Sequence, residues 1–286
     1  MFAIFYLEQV IRLKVNFVMI QNFVLCKTHE CIATLTLNRP EKLNALNPEL
    51  LVQLIQTMTV LEEQEEVRVV IIRGAGDKAF TAGFDVTQFP TVFPQGDLEN
   101  LKNRITHHPV IKATDAVARF PYPVIAMING YAFGAGLGLA MACDIRVATD
   151  TATFAMPPAK IGLVYHPQGL KHFINAVGIA NAKEIFLLGR SFNAYRAKEM
   201  GLIHYIVPKE QLEEFSLELA QEISENAPLA LRGMKSVITH IGNNTQHSSE
   251  EDEWITELVA KSYNSKDLLE GLSARKKKRK PNFQGK

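Results

Sequence analysis

The chain has 286 residues, 47% of them hydrophobic and 21% charged, with a formal net charge of +1. That length holds one large domain, or one domain with an appendage, and the near-neutral charge provides no overall field to draw in nucleic acid or a membrane surface. Cys26, Cys31 and Cys143 have no metal-type spacing and cannot all pair, which argues against a metal centre or disulfide framework and suits a reducing cytoplasm.

Residues 1–18, MFAIFYLEQVIRLKVNFV, are apolar but interrupted by Glu8, Arg12 and Lys14. The run is too broken for a membrane span and lacks the basic start and cleavage site of a signal peptide. Met19 opens a cleaner strand pattern, so 1–18 reads as an extension, either a start set too early or a loosely docked arm. FVLCKT and CIATLTLN then predict two strands joined at His29-Glu30. A helix follows, with Asn47 as N-cap, Pro48 in the first turn, and Leu50, Leu51, Leu54, Ile55, Met58 and Leu61 at helical spacing. VRVVIIRG is a continuous apolar strand of the kind covered on both faces, and it runs into a glycine-containing loop, GAGDKAFTAGFDV. The stretch from Thr87 to Phe120 is less regular and predicts one or two short helices.

PVIAMIN is a second buried strand, followed by GYAFGAGLGLAMACD, with Gly130, Gly134, Gly136 and Gly138 closely spaced before an uncharged helix. DIRVAT, ATFAM and GLIHYIVP predict further strands, and PPAKIGLVYHPQGLKHF a loop entering a helix. From Glu210 the chain reads as helices, the last opening with Ser248 and Glu251 at capping-box spacing and giving way to a basic tail. The order predicts an α/β core over 19–209 with a helical region over 210–286.

Glycine elbows bring backbone amides close to a partner. Dinucleotide binding does not fit: Gly134 and Gly136 match the fingerprint, but Leu139 stands at its third glycine and no acidic ribose partner follows. The alternative is an oxyanion hole, in which amides at a helix start stabilise charge developing on a carbonyl oxygen. The elbow FTAGFDV offers a second amide, at Phe84.

NRPEKLNALN, VVIIRGAGDKAFTAGFDV, PVIAMINGYAFGAGLGLAMACDIRVAT, TFAMPPAKIGL and KKKRKPNF, in this order, resemble the crotonase, or enoyl-CoA hydratase/isomerase, superfamily. The resemblance covers nearly everything after about residue 22 and implies a crotonase-like spiral of ββα units with a C-terminal helical trimerisation part. It implies homotrimers, often paired into hexamers, and an acyl-CoA thioester as substrate with no further cofactor. By it, the amides of Phe84 and Ala135 polarise the thioester carbonyl. Ala45, Ala82, Asp85, Val86, Phe133, Gly134, Gly136, Gly138 and Pro158 line the substrate site, while Arg39, Lys42, Lys280 and Phe283 meet the CoA nucleotide, the last two in a neighbouring subunit if not in the same one. Phe89, Phe93 and Phe133 are expected to line the acyl pocket.

Hydratases of this family use two glutamates, and the matching positions here are Gly138 and Pro158, neither of which can carry a proton. The missing side chain at Gly138 is expected to leave an apolar gap. TFAMPPAKIGLVYHPQG, with Tyr165, and the late EFS-x-x-LAQEISE-x-APLA pattern resemble methylmalonyl-CoA decarboxylase-like members, though a histidine of that subgroup's oxyanion loop is Phe84 here and its glutamate is Gly138. Tyr165 either orients a departing carboxylate or protonates an enolate, or it is a pocket-wall tyrosine. Three functions stand open: a decarboxylase of a malonyl-type thioester, a silent acyl-CoA binder, and a hydratase or isomerase with an acid of another kind. His107-His108 reads as a surface pair, His166 as exposed, and Asp85 and Asp144 as caps.

Overall fold

The computed structural model of the chain describes residues 22–64, 66–88, 108–243, 254, 257 and 265–286. The extension 1–18, Phe89, Phe93, His107 and the Ser248–Glu251 pair lie outside them. The hairpin forms as expected, with β1 (Val24–His29) antiparallel to β2 (Ile32–Leu37) and Glu30 in the left-handed region at the turn, φ 51°. α1 (Pro48–Glu63) starts where the sequence places it: the Asn47 side chain accepts from the Leu50 amide at 3.1 Å, and Leu50, Leu51, Leu54, Met58 and Leu61 face the core.

The chain then winds through three similar turns. β3 (Val69–Gly74), β4 (Ala79–Thr81) and α2 (Pro109–Arg119) make the first. β5 (Val124–Ile128), β6 (Tyr131–Phe133) and α3 (Ala135–Ala142) make the second, and β7 (Ile145–Thr149), β8 (Thr153–Ala155) and α4 (Pro167–Leu188) the third. β9 (Ser191–Asn193), α5 (Ala194–Glu199) and β10 (Tyr205–Val207) follow. In each turn the long strand joins one sheet and the short strand another. The first sheet has the order β1-β2-β3-β5-β7-β10, parallel except for the β1–β2 pair, and the second the order β4-β6-β8-β9, parallel except for β9. β4 and β6 correct the reading of those stretches as loop and elbow, and β9 is a strand no pattern announced. Strands of three residues show no alternation, and only their neighbours make them strands.

Both faces of the larger sheet are covered, which explains its continuous apolar strands. Val70, Ile72, Val124 and Ala126 face the main core with α1, α2 and α3. Val69, Ile71, Ile125 and Met127 face α6 (Leu212–Ser224), through Leu212 and Ala220. α7 (Pro228–Asn243) is tied to the core by Lys235, whose ammonium meets Asp144 at 2.6 Å and the Tyr122 carbonyl at 2.9 Å. α8 (Lys266–Lys276) lies in the region read as helical and carries the helix into the basic tail as far as Lys276. The Ser265 hydroxyl accepts from Leu268 N at 3.1 Å as its cap, and lysines near its end favour the helix dipole.

Candidate active site

The two elbows meet where the short sheet hands over to α3. Beyond β4, Gly83 adopts φ 96° and its carbonyl accepts from Leu46 N at 2.8 Å, while Asp85 N donates to Leu46 O at 3.0 Å. Phe84 bridges Leu46 between these bonds. Beyond β6, Gly134 adopts φ 50° and donates to Ala155 O at 2.8 Å, turning the chain so that Ala135 is the first residue of α3. Among the described residues, neither the Phe84 nor the Ala135 amide donates to a carbonyl. A Cβ built on Gly83 would stand 2.6 Å from Phe133 O and 3.4 Å from Ala135 N, so the elbows are in direct contact only because residue 83 has none. Gly136 likewise lets α3 sit against Thr81, 2.5 Å from its methyl carbon to a built Cβ. Two fixed amides, one at a helix start, can together receive a carbonyl oxygen as it gains negative charge.

The expected gap at Gly138 does not exist. Tyr165 comes from the loop before α4 and lays its hydroxyl over residue 138, inside the volume a side chain there would take; a built Cβ would also lie 3.5 Å from Tyr165 Cζ. On the other side of the ring a Cβ at Gly169 would come to 2.5 Å from Cε1. Phe186 and Phe173 pack against the ring with centroids at 5.3 and 6.4 Å. The Tyr165 hydroxyl has no hydrogen-bond partner among the described residues, and burial pushes its pKa up to about 12, so it is a neutral donor. Pro158 is buried and opens a 3-10 turn to Ile161 that leads into this loop.

His108 corrects the surface-pair reading. It is half-buried, its ring meets Phe84 edge-on at 5.1 Å, and its Nδ1 accepts from Val110 N at 3.2 Å as the cap of α2. That bond places the ring proton on Nε2, and burial pulls the pKa down to about 4. The sequence signal was present, a cap position before Pro109, but a capping histidine looks the same in sequence whether its far edge meets solvent or an aromatic ring. His166 is also a cap rather than a free surface group, with Nδ1 accepting from Gln168 N at 3.3 Å.

Asp85 is held as a cap: the Thr87 hydroxyl donates to it at 2.6 Å, and that bond, then Arg39, holds its carboxyl below the usual range. Arg39 points inward, to Asp85 at 3.2 Å and the Ala45 carbonyl at 2.7 Å, so it braces the first loop against the first elbow. Lys42 and Val86 are exposed beside it, and Ala45, Ala82 and Phe133 are half-buried. Lys280 and Phe283 are not brought to these residues within one chain. Lys280 pairs with Glu225, and Phe283 O accepts from Arg68 at 3.3 Å, at the start of β3.

The chain matches the model of the enoyl-CoA hydratase/isomerase family over residues 27–286. It is 32% identical over 255 residues to a methylmalonyl-CoA decarboxylase of Escherichia coli (strain K12), covering 89% of this chain and 95% of that protein. It is 32% identical over 217 residues to a short-chain-enoyl-CoA hydratase of Clostridium acetobutylicum, covering 76% and 81%. Among solved structures it superposes on an enoyl-CoA hydratase/carnithine racemase from Magnetospirillum magneticum with a TM-score of 0.84 at 34% identity, over 92% of this chain and 96% of that one.

Proposed function

The chain belongs to the enoyl-CoA hydratase/isomerase, or crotonase, family, and from that premise we propose that it decarboxylates a malonyl- or methylmalonyl-type CoA thioester through an enolate. The observation that carries this reading is the Tyr165 hydroxyl, unpaired and neutral over Gly138, in the place where a hydratase's glutamate would stand. No carboxyl group occurs at 138 or 158 to activate water. A malonyl-type substrate needs none to begin. Its Cα–carboxylate bond breaks, CO2 leaves, and the bonding pair passes into the thioester as an enolate. The Phe84 and Ala135 amides receive the enolate oxygen, a contribution of about 3–4 kcal/mol per donor in comparable sites. A proton then adds to Cα, from the Tyr165 phenol, which solvent reprotonates, or from water that the phenol orients.

A second reading rests on His108. The neutral imidazole packed on Phe84 keeps its Nε2–H as a donor, which could serve as the acid of a hydration, the activity named for the Clostridium relative. Separate incubations with methylmalonyl-CoA, malonyl-CoA and crotonyl-CoA, with products followed by mass, distinguish the two. CO2 release from a malonyl thioester and negligible hydration are expected. Efficient hydration of crotonyl-CoA would replace the first reading with the second, and turnover of none of the three would leave a silent binder.

The same reading assigns the acyl and thioester portion of the substrate to the elbows and the CoA nucleotide to the exposed surface at Lys42. It assigns the assembly to a homotrimer or a dimer of trimers. Exposed apolar side chains on α4 and α7, among them Ile179, Leu187, Met234 and Ile238, support a covered face there. In such an assembly Lys280 and Phe283 would serve a neighbour's nucleotide.

A further inference from the structure

We propose that Gly169 is a positioning residue for the reaction: with Gly138 it forms a slot, bare of side chain on both sides, that seats the Tyr165 phenol over the first turns of α3. The proposal rests on the role given to Tyr165 above and extends it to a residue that touches no substrate.

Both glycines lie inside helices, Gly138 in α3 and Gly169 in the first turn of α4. Neither has the positive φ that would require glycine for the backbone. Alanine would favour either helix, so local structure gives no reason for glycine at these positions. The tyrosine gives one. A Cβ at 169 would lie 2.5 Å from Tyr165 Cε1, 3.2 Å from Cζ and 3.3 Å from Cδ1, against the body of the ring rather than a movable end. A Cβ at 138 would strike the hydroxyl. The ring has little room to yield, because Phe173 and Phe186 hold its remaining sides and are themselves packed at 4.9 Å. The start of α4 cannot simply slide away either, since Gln168 Nε2 donates to Asp115 on α2 at 2.9 Å. A side chain at 169 therefore moves the phenol, and the phenol's distance from the enolate carbon is what a proton transfer depends on.

The test combines Gly169→Ala with Tyr165→Ala and follows three readouts: melting temperature, steady-state kinetics on a malonyl-type thioester, and the NMR resonance of a ¹³C-labelled Tyr165 Cζ. Gly169→Ala is expected to lower the melting temperature modestly, through overpacking against the ring, leave KM within about twofold and lower kcat of the folded protein by about tenfold or more. It should shift the Tyr165 resonance. In a Tyr165→Ala background, adding Gly169→Ala should change kcat no further, because the group it displaces is gone. An unmoved Tyr165 resonance, or an equal loss of kcat with and without the phenol ring, overturns the proposal. If the wild-type protein releases no CO2, the reaction assignment fails, while the resonance shift still decides the slot: its presence supports the seating role and its absence removes it.

Discussion

The proposed decarboxylation turns on one side chain, Tyr165. Its hydroxyl fills the volume at Gly138, and burial keeps it protonated through the neutral range. Tyr165→Phe removes the proton and leaves the ring and slot intact. It is expected to lower kcat for decarboxylation by about tenfold or more, about 1.4 kcal/mol in the barrier, with binding of an unreactive acyl-CoA unchanged by calorimetry. Unchanged turnover would return the tyrosine to a pocket wall. The identity of this residue was legible in sequence, and its reach was not. A loop tyrosine seven residues after Pro158 has no periodicity to say where it points, so an empty gap at Gly138 was the natural expectation. His108 was missed for the same reason, because its contact with Phe84 joins the cap of α2 to the elbow beyond β4, residues far apart in the chain.

At the scale of elements, the elbows are as much a product of the second sheet as of their own glycines. β4 and β6 pair in parallel, and this carries Gly83 and Gly134 to one level. Gly83 combines φ 96° with a Cβ position 2.6 Å from Phe133 O, so Gly83→Ala should strain the turn and push the elbows apart. A cost of about 2 kcal/mol is expected, from the usual penalty of a side chain in a sparsely populated region, read as a lowered denaturation midpoint. Turnover should fall further than the loss of folded protein explains, since both amides move. Retained activity in folded Gly83→Ala protein would remove the paired-amide arrangement. The glycine spacing announced the elbows from sequence. The three-residue strands that align them did not show, because pairing partners rather than their own residues make them strands.

Over the whole molecule, buried histidines link stability to acidity. His108 and His204 are both pulled down to about 4, in each case by burial first, with Arg146 and then Lys198 adding to the effect at His204. In the unfolded chain both titrate near 6.5. Between those values the unfolded state binds protons that the folded state refuses, so stability is full above about pH 6.5 and falls as the pH drops toward about 4. Urea midpoints should be lower at pH 5 than at pH 7, and His108→Asn, which keeps a good helix cap, should flatten the slope. An equal slope in that variant would show that His108 is not among the groups responsible.

The sequence by itself determined the α/β class, the long strands, the capped start of α1, the two glycine elbows and the family. These are properties of periodicity, caps and backbone geometry, which neighbours in the chain impose on one another. Only the tertiary structure decided that the elbows touch, that Tyr165 rather than empty space stands over Gly138, that His108 is a half-buried cap against Phe84, and that Lys280 and Phe283 meet Glu225 and Arg68. Each of those is a contact between residues far apart in the chain, and it depends on how the elements pack in three dimensions, which no local pattern encodes.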